Sequence, residues 1–149
     1  MSRIFRPPDQ GVSFEEHTAD LWLIAEGSSI EEVFKRALTG LYSVIASEFE
    51  IDDEREEMEK FKGTETEEIL IDILSEALYL FDAESRVIMD PRFELERNNE
   101  GIMVRMWFGS AGVRIKEGCH GMEVKAATYH GTEIAAINKV HRARILLDI

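Results

Sequence analysis

Four histidines, one cysteine and a surplus of carboxylates are the groups through which this chain of 149 residues could do chemistry. His17, His120, His130 and His141 do not share a helix turn or alternate strand positions, the spacings from which metal-ligand pairs usually come. Cys119 and His120 are adjacent, and adjacent side chains of an extended segment point apart. A single cysteine excludes an intrachain disulfide, and without a Cys-x-x-Cys pair there is no zinc ribbon or thioredoxin-like redox pair. No phosphate-binding Gly-x-x-x-x-Gly-Lys-Ser/Thr loop, His-Glu-x-x-His or Gly-x-Ser-x-Gly occurs. Gly109, Gly112, Gly118 and Gly121 do not form a dinucleotide fingerprint. Two acidic segments stand out. Glu16-His17-Thr18-Ala19-Asp20 precedes an apolar run, and Leu146-Leu147-Asp148-Ile149 closes the chain with a side-chain carboxylate beside the terminal one. A carboxylate in so apolar a strand must face solvent or meet a cation.

The elements that would position these groups follow from hydrophobic periodicity. Leu21–Glu26 (LWLIAE) reads as a strand with apolar residues on both faces, after a short strand at 12–14. Ser28 and Glu31, or Ser29 and Glu32, have capping-box spacing. From there Ile30, Val33, Phe34, Ala37, Leu38, Leu41, Val44 and Ile45 trace one helical stripe to about residue 46. A second stripe, Ile69, Leu70, Ile73, Leu74, Ala77, Leu78 and Phe81, follows a Thr64/Glu67 box and should end near Ala83. Tyr79 and Leu80 fall off that stripe and leave room for a second contact surface. Strands are expected at 55–61 (a charged edge), 86–89, 92–97, 103–108, 123–129 and 142–149, with 109–121 irregular because of its glycines apart from a short strand at 113–116. Residues 1–11, broken by Pro7, Pro8 and Gly11, read as a loose tail before a domain over 12–149. The order implies a single α+β domain, two amphipathic helices laid on mostly antiparallel sheet.

Composition limits the partners. Seventeen basic and thirty acidic residues give a net charge of −13, which repels phosphate backbones, so direct nucleic-acid binding by this chain alone is not expected. Residues 47–68 hold eleven of the acids and only three bases. This run reads either as a solvated face or as a docking patch for a basic partner. Residues 1–11 lack the apolar core of a signal peptide, and the longest uncharged run, Ala37–Ser47, has eleven residues against the about 20 a bilayer needs. The expected setting is therefore cytoplasmic and reducing, with no membrane span.

Taken as an ordered set, several segments carry a resemblance. They are Glu16-His17-Thr18-Ala19-Asp20, the Ser-led helix after it, Tyr79-Leu80-Phe81-Asp82, Val124-Lys125-Ala126-Ala127-Thr128-Tyr129-His130 and Leu147-Asp148-Ile149. Together they resemble the archease family from about residue 12 to the end. That resemblance implies a non-catalytic protein cofactor of the RtcB-type RNA ligase of tRNA splicing, which promotes ligase guanylylation and multiple turnover. It also implies a divalent-cation site, usually calcium, whose ligands here would be Asp20, Asp148 and Ile149. Lys125 would matter for activation, and His17 stands in the same acidic segment as Asp20. The departures are the long tail before Gly11 and the Ala127 and Gly131 variants, neither at a proposed ligand.

Physical chemistry gives this ion independent support. Two carboxylates about 4 Å apart repel by about 4 kcal/mol at an effective dielectric of about 20, and a dication reverses that sign. Oxygen-only ligation suits calcium or magnesium rather than zinc. Asp20 and Asp148 are 128 residues apart, so only the fold can join them. The alternative is that Asp20 caps a turn and Asp148 pairs with Lys125. Two other functions stand beside ligase activation. One is a general chaperone or modulator of RNA-modifying enzymes, which needs exposed apolar surface. The other is a metal-dependent hydrolase with Asp20 and Asp148 as ligands and His17 or Glu16 as base.

Overall fold

The computed structural model describes residues 2–17 and 19–149, the side chains of Glu16 and His17 excepted. The elements follow the order β1 (Arg3–Phe5), β2 (Val12–His17), β3 (Asp20–Gly27), α1 (Ile30–Ile45), β4 (Phe49–Gly63), α2 (Thr66–Glu84), β5 (Arg86–Asn98), β6 (Gly101–Ile115), β7 (Ala126–Ile137) and β8 (Val140–Asp148).

Local chemistry explains the helix boundaries. Ser29 caps α1 by accepting from the Glu32 N–H at 3.1 Å, and the Glu32 carboxylate accepts from the Ser28 N–H at 3.0 Å. Of the two expected boxes, the Ser29/Glu32 one forms. α2 starts two residues after the Thr64 cap expected for it. Glu65 is the N-cap without a side-chain bond, and Glu68 rather than Glu67 reaches back to Thr64. Ser85, at φ 52°, ends α2 in the left-handed conformation.

Both sheets are antiparallel. One has the order β1-β4-β6-β5 and the other β2-β3-β8-β7. The helices lie between them. α1 packs on β2, β3 and β8 of one sheet and on β5 of the other, while α2 packs on β7 and on β4, β5 and β6. Among the described residues no strand of one sheet lies against a strand of the other. The result is a single α+β domain of three layers, sheet, helices and sheet. Buried on two sides, α2 hides Ile71 and Leu80 as well as its main stripe, which is the second contact surface that Leu80 foretells; Tyr79 stays exposed. Tyr42 of α1 is fully enclosed, and its hydroxyl accepts from the Ile88 N–H at 2.8 Å, tying helix to β5.

Several expectations change. Residues 1–11, read as a loose tail, contain β1, which pairs with Phe49–Ile51 and stacks Phe5 on Phe49 at 5.9 Å. An apolar Phe beside an open strand end outweighs the local breakers. The glycine-rich stretch 109–121 is strand as far as Ile115, because Gly109 and Gly112 leave room for Glu54 and Asp52 crossing from β4. The two strands expected at 86–97 are one, bulged between Met89 and Arg92, with Asp90 at φ 46°. The strand expected at 123–129 starts at Ala126 and continues to Ile137 across a second bulge between Thr128 and Glu133. β4 is an edge from Arg55 onward, since β1 reaches no further than Ile51.

Candidate metal centre

The site residues sit at one end of the β2-β3-β8-β7 sheet. The β3–β8 register places Asp20 directly opposite Asp148, and β7 puts Ala126 on the other side of Asp148. His17 pairs with Asp20 in the β2–β3 register, so one row across the sheet reads His17, Asp20, Asp148, Ala126. The His17 side chain itself lies outside the described residues. Two main-chain bonds carry the ladder past the last strand residue. The Lys125 N–H donates to the Asp148 C=O at 2.7 Å, and the Ile149 N–H donates to the Ala19 C=O at 3.4 Å. Ile149 packs its side chain against the core, one residue beyond Asp148.

The packing beneath the row is specific. Alternation sends Leu21 and Leu147 into the core, each nearly inaccessible, and leaves Asp20 and Asp148 on the outer face. The next outer row is Glu15, Trp22, Leu146 and Thr128. Arg144 lies over the Trp22 ring at 3.7 Å and pairs with Glu15 at 3.1 Å. Thr128 donates its hydroxyl to the Leu146 C=O at 2.9 Å. In the β7 bulge Gly131 has φ 77°, and a Cβ there would come within 3.1 Å of the Trp22 ring. Trp22, Arg144 and Gly131 pack together on the outer face of the sheet, alongside the Asp row. Sequence reading notes Gly131 only as a departure from the family pattern and does not join it to Trp22 and Arg144, because one aromatic and one arginine on separate strands carry no local pattern.

The electrostatics are those of an uncompensated pair. Like charges directly opposite in a sheet destabilise it. Among the described residues neither Asp20 nor Asp148 has an ion-pair partner, and the alternative pairing of Asp148 with Lys125 is not formed. Lys125 meets Asp148 through its main chain while its side chain is exposed. No three or more His, Cys, Asp or Glu side chains are placed to hold a metal ion together among the described residues. Among the described residues the side-chain donors in this row are the two carboxylates of Asp20 and Asp148, with the main chain of Ile149 next to them. An all-oxygen, anionic set of this kind fits a hard dication with part of its shell left to water. Among the described residues it gives a soft metal no nitrogen or sulfur ligand.

The other groups the sequence singles out lie elsewhere. His120 bridges to Ala46 and lines a cavity of about 290 Å³ with Ile45, Leu78, Phe81 and Asp82. His141 pairs with Gly27, at the opposite end of β8 from Asp148. No helix is long and apolar enough to cross a membrane among the described residues.

Comparison with known proteins shows the family and the fold. The model of the archease protein family matches residues 13–149. The chain is 32% identical to protein archease of Methanosarcina mazei over 146 residues, covering 95% of this chain and 99% of that one. It is 30% identical to protein archease of Pyrobaculum neutrophilum over 137 residues, 91% and 93% of the two chains. The solution structure of protein 1598 of Methanobacterium thermoautotrophicum superposes with a TM-score of 0.74 at 28% identity, covering 93% of this chain and 99% of that one. A crystal structure from Thermotoga maritima, described as an archease and possible chaperone, is similar in fold, with a TM-score of 0.62 at 22% identity over 91% and 94% of the two chains.

Proposed function

The chain belongs to the archease family, and from that premise we propose that it is a non-catalytic activator of an RtcB-type RNA ligase, working through a calcium-bearing tip. The observation that carries the reading is the cross-strand pair Asp20–Asp148 with the main chain of Ile149 next to it. Two acids brought opposite each other without a counter-cation among the described residues are a standing electrostatic cost, and a site that gathers a dication turns that cost into affinity. When bound, calcium supplies a concentrated positive charge with open coordination positions at the edge of the sheet.

The chain's own part is positional. β3 and β8 hold the two carboxylates by backbone ladder rather than by mobile loops, and the Ile149 side chain packs on the core. The Arg144–Trp22 stack stiffens the outer face alongside them. Lys125, exposed next to the end of β8, offers a cation to an anionic group on the ligase or its nucleotide. His17 is placed by register in the same row and would act there too. The net charge of −13 suits docking on a basic enzyme and disfavours a hold on RNA by this chain alone.

A guanylylation assay with the cognate ligase, with and without this protein and calcium, tests the reading. Asp20→Ala and Asp148→Ala should each abolish the stimulation and lose calcium binding by calorimetry, while circular dichroism stays unchanged. Undiminished multiple turnover with both variants would sink it. The family's other reading, a chaperone, draws on the apolar tip of the β7–β8 hairpin, where Ile137 is 63% and Val140 42% exposed. Suppression of aggregation of unrelated clients, lost in Ile137→Ser, would favour that reading.

A further inference from the structure

β4 is a long strand whose outer side is covered only at its beginning. β1 pairs with Phe49–Ile51, and from Arg55 to Gly63 the strand is bonded to β6 alone among the described residues. Its outward N–H and C=O groups over that stretch form an open edge. α2 runs alongside. A Cβ on Gly63 would meet the Glu68 carboxylate at 3.1 Å, and Glu59 of β4 acts electrostatically on Glu76. Glu68, Asp72 and Glu76 recur every four residues and so line one flank of the helix.

This flank lacks counter-charge. Elsewhere the sheet neutralises its acids internally, as in Arg114 with Glu50, Arg105 with Glu96 and Arg3 with Glu54. None of Glu57, Glu59, Glu68, Asp72 and Glu76 has an ion-pair partner among the described residues. Met58, 44% exposed, adds an apolar contact on the opposite face of the same edge.

We propose that the Arg55–Gly63 edge, together with the Glu68/Asp72/Glu76 flank of α2, is a docking site for an extended basic segment of the partner protein, which adds to the sheet as a strand beside β4. The spacing specifies the segment. Carboxylates four residues apart on a helix are separated by about 6 Å along the axis. Side chains on one face of a strand recur every about 6.7 Å. A segment with Lys or Arg at alternate positions therefore sets three cations against three carboxylates, while its main chain satisfies the open edge. A second copy of this chain is a poor occupant, because its edge carries Arg55, Lys60 and Lys62 against Glu56, Glu57 and Glu59 and so offers the acidic flank no net positive charge. Charges that protect an edge from self-pairing thus also select a basic guest. The biological occupant rests on the ligase reading above; the chemistry of the edge does not.

Two peptides of equal charge test the site on the full chain, Lys-Thr-Lys-Thr-Lys-Thr-Lys and the same residues with the four lysines in one block. Three exposed ion pairs together are worth about tenfold in affinity. The alternating peptide should bind about that much more tightly by calorimetry and slow hydrogen exchange at residues 55–63. A Glu68→Gln/Asp72→Asn/Glu76→Gln variant, its fold checked by circular dichroism, should lose the preference. Equal binding of the two peptides, or protection away from 55–63, overturns the proposal. Assaying the wild-type chain for ligase stimulation separates the two readings. If the wild-type chain stimulates the ligase while the peptides bind equally, the edge fails alone; if the peptides discriminate and the wild-type chain does not stimulate, the ligase reading fails alone.

Discussion

Asp20 and Asp148 show how little a single residue need do when the strands around it do the placing. Their side chains need only stand on the outer face, and the β3–β8 register sets them opposite each other. In the proposed site Ile149 is less replaceable, since its side chain packs on the core while its carboxylate would complete the donor set. Appending two glycines after Ile149 should therefore weaken calcium binding, read by calorimetry, with little change in melting temperature. Gly131 holds φ 77° against the Trp22 ring, so Gly131→Val adds left-handed strain and a clash. A loss of about 1–3 kcal/mol in denaturant unfolding is expected. Tyr42 is a further single-residue linchpin. Its buried hydroxyl accepts from the Ile88 N–H, and burial pushes the phenol well above its ordinary value against that weaker opposing bond. Tyr42→Phe leaves the Ile88 N–H unpaired and should cost about 1–3 kcal/mol. Because the folded-state value is raised, the stability tied to Tyr42 is whole below about pH 10 and is lost as pH climbs beyond it. Tyr42→Phe should lack that alkaline decline in a pH-resolved melting series.

At the scale of elements, α1 is legible in the sequence because its stripe and its Ser29 cap agree with each other. Ser29→Ala should lower stability by about 1 kcal/mol in thermal melts. α2 is legible as a helix, but its exact start is not, since Thr64, Glu65 and Thr66 offer competing caps and packing against β7 chooses among them. The Ile134 N–H donates to Glu67 at 3.4 Å and the Tyr129 hydroxyl donates to Glu65 at 2.5 Å, so β7 occupies the carboxylates a free helix would use for capping. The glycines of β6 mislead for a similar reason. Gly109 and Gly112 lower strand preference locally, yet they make the space into which Glu54 and Asp52 cross. A bulge such as the one at Asp90-Pro91 depends on pairing with β6, and no window of β5 alone announces it.

For the whole molecule, charge and layering act together. Glu48 accepts from Lys116 and Arg6, and those hydrogen bonds hold its carboxyl below the usual range; Arg55, and secondarily Arg86, do the same for Asp53. Stability tied to these two is present above ordinary carboxylate values and is lost as pH falls through their lowered ones. Asp72 and Glu76 behave oppositely. Burial first, then neighbouring acids, raises both, so the charged forms are disfavoured and their contribution is lost as pH rises through those values. Asp72→Asn with Glu76→Gln should therefore raise the melting temperature at pH 7 and make no difference near pH 3, where both acids are protonated anyway. The two helices, the α+β class and the acidic character were determined by the sequence alone, because periodicity, capping and net charge are properties of short windows or plain sums. The pairing of Asp20 with Asp148 became visible there through a family resemblance, not through spacing. The double-sided burial of the helices, the capture of residues 3–5 by β4, the Trp22–Arg144 stack and the open edge beside α2 were decided by the tertiary structure. Each joins residues far apart in sequence, and strand register, the device that brings them into contact, is set by which faces the whole core can bury.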